Sequence, residues 1–246
     1  STVLRLGSRY NNNTTWSLGG HMHDFRISKG LARYPYISRP VTLTQTNSGM
    51  EKPDGTTPTA TASNTKLLAC HHSSKTTEGS ATGHTITSVG STASGTIIPK
   101  YGMNSVYFPN GDNDYLQVAA SSEHQIYGGN YTVEAWLYPT SFNSQNNVFL
   151  SKGTASAREY HFSISASDFQ VYWSTDGGSS GSTYFSVSVT NVLNEWAHIA
   201  IAKSGNDITL YKNGNYIGNG TFTSIYSGNS PTVIGRLWDY TGISHQ

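Results

Sequence analysis

Tyr131-Thr132-Val133-Glu134-Ala135-Trp136-Leu137 decides the fold. Tyr131, Val133, Ala135 and Leu137 fall on one side of a period of two, and Thr132, Glu134 and Trp136 fall on the other. That alternation belongs to an extended strand, whose successive side chains point to opposite faces. Ala197-His198-Ile199-Ala200-Ile201-Ala202 has the same period. Ile208 to Lys212 and Tyr216 to Gly218 flank Asn213-Gly214. Asn-Gly between two such runs predicts a hairpin, because a type I′ turn needs positive φ at both central positions. Shorter strand-like runs at 105–108, 115–118, 147–151, 160–164, 169–173 and 183–189 alternate with turn signals, and no convincing helical stretch interrupts them. The prediction is an all-β sandwich of two antiparallel sheets.

Composition agrees. The 246 residues suit one large β domain or two small ones. Apolar residues are 35%, aromatics are 12% with 16 Tyr, and there are 25 Gly, so the core is expected from aromatic and β-branched residues joined by polar turns. Charged residues are 12% and the net charge is +1, which leaves no basic field for a phosphate backbone and excludes nucleic acid as a partner. No apolar run reaches membrane-spanning length, so no membrane insertion is expected. The single Cys70 cannot build an intrachain disulfide framework and reads as a small buried hydrophobe.

Before residue 104 the signal is sparser. Val3 to Leu6, Met22 to Ile27 and His84 to Val89 look strand-like, with Pro35 and Pro40 between the second and third. Residues 41–64 read as a linker, most plainly over 47–64, where large apolar residues almost vanish. Leu6-Gly7-Ser8-Arg9-Tyr10-Asn11 is echoed a domain length later by Ile234-Gly235-Arg236-Leu237-Trp238-Asp239. That echo is expected of one period cut from a tandem array.

These residues resemble a known family. Tyr131 to Pro139 is similar to the "f-T-[IV]-E-a-W-[IV]-x-P" strand of laminin-G-like, concanavalin A-like jelly rolls. Asn194-Glu195-Trp196-Ala197-His198-Ile199-Ala200 with Ile208 to Gly214 resembles their "W-x-H-[IV]-a … l-Y-[IV]-[ND]-G" region. Ser105-Val106-Tyr107-Phe108 and Asp114-Tyr115-Leu116 resemble the opening block. Gly20-His21-Met22-His23-Asp24-Phe25-Arg26-Ile27 through Tyr34 resembles the closing one. The closing block comes first here. The resemblance therefore implies closing strands in 1–40, belonging to this domain or a preceding one, a linker over 41–64, and a jelly-roll domain over 65–246. It also implies that Met22 to Ile27 pairs near 104–118 or 231–235. That pairing would occur within the chain as a permuted sandwich, or in a neighbouring copy by strand exchange. Thr65 to Thr87 is further similar to modules of structural proteins of marine bacterial viruses and of bacterial adhesins.

The resemblance brings three chemistries. Glycan hydrolases of this fold place paired carboxylates on one strand with a spacing such as Glu-x-Asp-x-x-Glu. Glu134 has no such companions on its strand, so it reads as structural and no catalytic residues are assigned. Ca²⁺ at a sandwich rim would find oxygens on Asp112, Asn113 and Asp114, a segment that also reads as an ordinary polar turn. His71 and His72 lack a second spaced pair for zinc. Exposed aromatics amid Asn, Ser and Gly suit sugar rings, and Trp173, Tyr184, Trp238 and Tyr240 with Asp239 are the candidate glycan contacts. Trp136 and Trp196 match core-strand positions. The function expected is a non-catalytic structural or adhesion module of a large extracellular or virion assembly. It would contact cell-surface glycans and also other copies of itself or other subunits. A calcium-dependent lectin is the alternative, and a glycan hydrolase of the same fold is third.

Overall fold

In a computed structural model of the chain, the described residues are 18–30, 45–46, 49–50, 64–80, 82–95, 97, 104–109, 114–126, 128–142, 147–154, 156–190, 192–222, 224–230, 232–234 and 237. The strands are β1 (Gly20–Lys29), β2 (Gln45–Thr46), β3 (Gly49–Met50), β4 (Thr65–Ala69), β5 (Ile86–Val89), β6 (Ala93–Ser94), β7 (Val106–Phe108), β8 (Tyr115–Val118) and β9 (Tyr131–Pro139). They continue with β10 (Asn147–Thr154), β11 (Ala157–Ile164), β12 (Asp168–Ser174), β13 (Ser182–Ser188), β14 (Ala197–Ser204), β15 (Asp207–Lys212), β16 (Asn215–Thr221) and β17 (Thr232–Ile234). The larger sheet runs β16-β15-β14-β9-β1-β7-β6, with β4 also on β1. The smaller runs β13-β12-β11-β10-β17-β8-β5. The strand pairings described within both sheets are antiparallel, as a jelly-roll sandwich requires. The short β2–β3 ladder falls inside the segment expected as a linker.

The alternation read at Tyr131 holds. Tyr131, Val133, Ala135 and Leu137 enter the core between the sheets, where they meet Phe149, Phe162, Ile199 and Ile201. The Asn-Gly hairpin also forms. Asn213 and Gly214 have φ of 51° and 78° between β15 and β16, and the Asn213 side-chain oxygen accepts from the His198 N–H at 2.8 Å.

Strand β1 is not at an edge. It lies between β9 on one side and β4 and β7 on the other, within this chain. Met22 stands opposite Val106, the pairing the block order implied. Its place depends on a bulge. The β1–β9 register steps from His23↔Trp136 to Arg26↔Glu134, so two residues, Asp24 and Phe25, oppose Ala135 alone. Asp24 takes φ of 50°, a left-handed conformation that Asp tolerates better than most residues, and its N–H donates to the Cys70 carbonyl. Met22, Phe25 and Ile27 thereby all enter the core, while His23, Arg26 and Ser28 face outward.

The outward face of the larger sheet is itself buried. Trp136, Ala200, Ala202 and Tyr211 form a second apolar cluster there, with Trp196 against it. Of the tryptophans assigned to the core, Trp136 is thus buried and Trp196 half-buried, both on the opposite side of the sheet from the sandwich interior. Beside them Arg26 lies 3.5 Å from Asp24 and 3.9 Å from Glu134, and His198 Nε2 lies 3.5 Å from Glu134.

On the flank opposite β6, edge strands β13 and β16 approach closely. A Cβ on Gly218 would come within 2.5 Å of Val187, and one on Gly220 within 2.8 Å of Phe185. A side chain at either position would force Val187 or Phe185 to shift.

Phe25→Ala should destabilise the chain by about 3–5 kcal/mol, since the ring is fully buried and the bulge fixes its direction. Urea unfolding at neutral pH checks this. A loss under about 1 kcal/mol would mean that β1 does not contribute to the core as described.

Candidate functional site

A cavity of about 370 Å³ opens at the end of the sandwich where β9 begins and β14 ends. Its walls come from segments far apart in sequence. Gly128, Gly129 and Asn130 precede β9, Gly205 and Asn206 make the β14–β15 turn, and Phe222, Ser224 and Ile225 follow β16. Lys203 supplies a cation.

Each wall has a physical reason. The Gly205 N–H donates to Asn130 Oδ1 at 3.1 Å, tying two loops together. Phe222 N–H donates to the Asn206 carbonyl at 2.8 Å. The Phe222 ring stands edge-on to Trp173, 4.2 Å between centroids and 83° between planes. Period two places Lys203 with Ile199 and Ile201 on the inward side of β14, at the end of the strand, so its stem follows the core and its ammonium emerges at the mouth. There it donates to the carbonyls of Gly129, at 3.1 Å, and Gly205. Burial lowers its proton affinity.

Residues 224–230 cross this end as a strap. Tyr226 N–H donates to the Ser174 carbonyl at 2.7 Å, and Gln125 Nε2 donates to the Gly228 carbonyl at 2.8 Å. Lys152 reaches Glu159 at 2.7 Å and the Ser230 carbonyl at 2.6 Å, all out of solvent. Burial is the largest influence on both charges, lowering the Lys152 ammonium and raising the Glu159 carboxyl, while their contact opposes it. Removing one partner of such a pair typically costs 3–5 kcal/mol, so the strap is firmly held.

The expected site residues separate. Trp173 is a correction. It is 6% exposed and belongs to the core cluster, so it supports the cavity floor through Phe222 and presents no face to a sugar. Its strand phase, shared with Val171 and Phe169, carried that signal. Tyr184 is 63% exposed on β13, opposite Tyr172, which stacks on His161 at 4.4 Å and 14°. Trp238, Asp239, Tyr240, Asp112 and Asn113 lie outside the described residues. Asp114 is buried, and its Oδ1 accepts from the Ser91 N–H, which braces the turn after β5. Among the described residues, no group of three or more His, Cys, Asp or Glu is placed to hold a metal. Glu134 is buried in the ion network on the covered face. Cys70 is buried and free, and burial pushes its thiol far up. No helix among the described residues is long and apolar enough to cross a membrane.

Residues 110–244 match the laminin G family described as the concanavalin A-like lectin/glucanases superfamily. The chain belongs to that superfamily. No curated protein matches the chain. Two solved structures are similar at low identity. The receptor binding domain of botulinum neurotoxin type G is 16% identical with a TM-score of 0.40, over 65% of this chain and 40% of that one. Mouse laminin α1 domains LG4-5 are 12% identical with a TM-score of 0.30, over 96% of this chain and 79% of that one. The chain thus spans well under half the length of the neurotoxin chain.

Buried histidines give this superfamily member an acid response, and burial lowers His23 and His71 as well as the three that follow. Burial, first among the causes, lowers His21 to about 4, His124 to about 3 and His161 to about 3. The unfolded chain binds protons at these rings below about pH 6.5, while the folded one does not. Stability is therefore complete above about pH 6.5 and falls as pH drops toward 4, each ring contributing up to about 1.4 kcal/mol per pH unit. Urea midpoints taken between pH 7 and pH 4.5 should fall steeply, and His161→Phe should flatten the slope. A flat profile in the wild type would overturn this.

Proposed function

We propose that this is a non-catalytic carbohydrate-contacting module. We place it in an extracellular or virion-surface assembly, where it serves adhesion and architecture. The observation that carries the reading is the rim cavity. It is lined by the half-buried Ile225, with the buried Phe222 packed beneath, together with Asn130, Asn206 and Ser224, residues that carry amides and a hydroxyl. A pyranose has the complementary make-up, with C–H faces for the floor and hydroxyls for the amides. The cavity size lies in the range of small-molecule sites. Its lining residues offer hydrogen-bonding groups, whereas glycoside cleavage needs two carboxyl groups across the scissile bond. Membership of a superfamily of lectins and glucanases supports the carbohydrate class, although fold alone does not give function. Tyr184 offers a separate exposed ring on the smaller sheet. The echo of Leu6-Gly7 at Ile234-Gly235 supports serial copies, in which weak single contacts would sum by avidity.

The test is a glycan array probed with the multimerised full chain, with product analysis on laminarin, agar and carrageenan. Binding without new reducing ends is expected. Ser224→Trp should fill the cavity and remove the array signals without touching the core, since Ser224 is exposed. If Ser224→Trp keeps every signal, the cavity is not the contact site. Turnover of any of these polysaccharides would sink the non-catalytic reading.

A further inference from the structure

We propose that the rim cavity selects an acidic sugar, its anionic group meeting the Lys203 ammonium while its ring lies against Ile225. This rests on the reading of the cavity as a glycan site. Lys203 is 5% exposed and lines the cavity, its ammonium held by the carbonyls of two other lining residues, Gly129 and Gly205. An ammonium has three N–H donors. The carbonyls of Gly129 and Gly205 engage it and leave donor capacity toward the cavity. Both acceptors are neutral. The other buried or half-buried cations described above have carboxylates: Arg26 has Asp24 and Glu134, and Lys152 has Glu159. Among the described residues no carboxylate makes an ion pair with Lys203, and burial is the one resolved influence on it. A cation withdrawn from water without a counter-ion is costly to keep, and an arriving anion offsets that cost.

The surroundings favour a sugar acid over a bare anion. Asn130 uses its carbonyl oxygen on Gly205 N–H, so its NH₂ remains to donate to hydroxyls. Ser224 offers a hydroxyl on the strap wall, and the floor is apolar. An inorganic anion would meet the ammonium and leave these groups unused. A uronic acid places a carboxylate at one end of a ring whose remaining edge carries hydroxyls, which matches the order ammonium, floor, amides.

The experiment is titration of the ¹⁵N-labelled full chain with glucuronate, glucose and acetate, read as amide shift changes. Glucuronate should perturb residues 128–130, 205–206 and 222–225 and bind about tenfold more tightly than glucose, as one close charge contact near a protein surface allows. Acetate should bind more weakly than glucuronate. Lys203→Gln should bring the two sugars to equal affinity, and Lys203→Arg should keep the preference. Should Lys203→Gln fail to fold, salt decides on the wild type. In about 1 M NaCl the screening length falls to about 3 Å, and the glucuronate preference should shrink several-fold while glucose binding holds. Equal perturbation by glucuronate and glucose would overturn the acidic preference and leave the glycan site standing. Acetate binding as tightly as glucuronate would overturn the sugar-acid assignment in favour of a bare anion site. No perturbation of these amides by either sugar would overturn the glycan site itself.

Discussion

Everything in the larger sheet depends on one extra residue. A strict period of two along Gly20–Lys29 would put Asp24 and Arg26 on the core side with Met22, and Phe25 and Ile27 on the other with His23. Shifting phase by one residue exchanges the faces of every residue that follows. The bulge at Asp24 makes that exchange mid-strand. Its cost is a left-handed Asp, about 1–2 kcal/mol. The alternative would bury a carboxylate and a guanidinium among Phe and Leu side chains, which is far more expensive. The same exchange places Arg26 opposite Glu134, so one local irregularity sets both the core packing and the charge network behind it.

That network lets a polar layer lie under cover. Glu134, Arg26, Asp24 and His198 sit among Trp136, Tyr211 and the alanines of β14. Buried ion pairs add little net stability compared with apolar packing, but they penalise wrong registers severely. A one-step slip of β14 or β1 against β9 would leave a charge buried without its counterpart. The apolar core drives collapse, and the covered ions add a cost to any register that separates them.

The alternation at Tyr131 to Leu137 and the Asn213-Gly214 turn were legible because each is a local signal with one dominant geometric outcome. The bulge was not, because Asp24 looks like any polar strand residue until Glu134 is placed across from Arg26. The cavity was illegible for a related reason. Its walls come from loops joined only by tertiary hydrogen bonds, and none of those loops carries a motif. Trp173 shows how an aromatic beside a Gly-rich run suggests exposure, although its phase with Val171 pointed to the core. Lys203 had a readable signal. A lysine in phase with Ile199 and Ile201 must reach inward, and only the end of the strand gives it somewhere to go.

The narrow seam between β13 and β16 has a consequence for how copies could be strung together. Val187 and Phe185 occupy the space where Gly218 and Gly220 lack side chains, so the two edge strands close onto each other face to face. A bare flank is a template for another chain. A single methyl group at Gly218 would wedge this seam apart and give neighbouring copies a lateral route to fuse. Two missing side chains thus keep the two sheets closed against each other at this end of the sandwich.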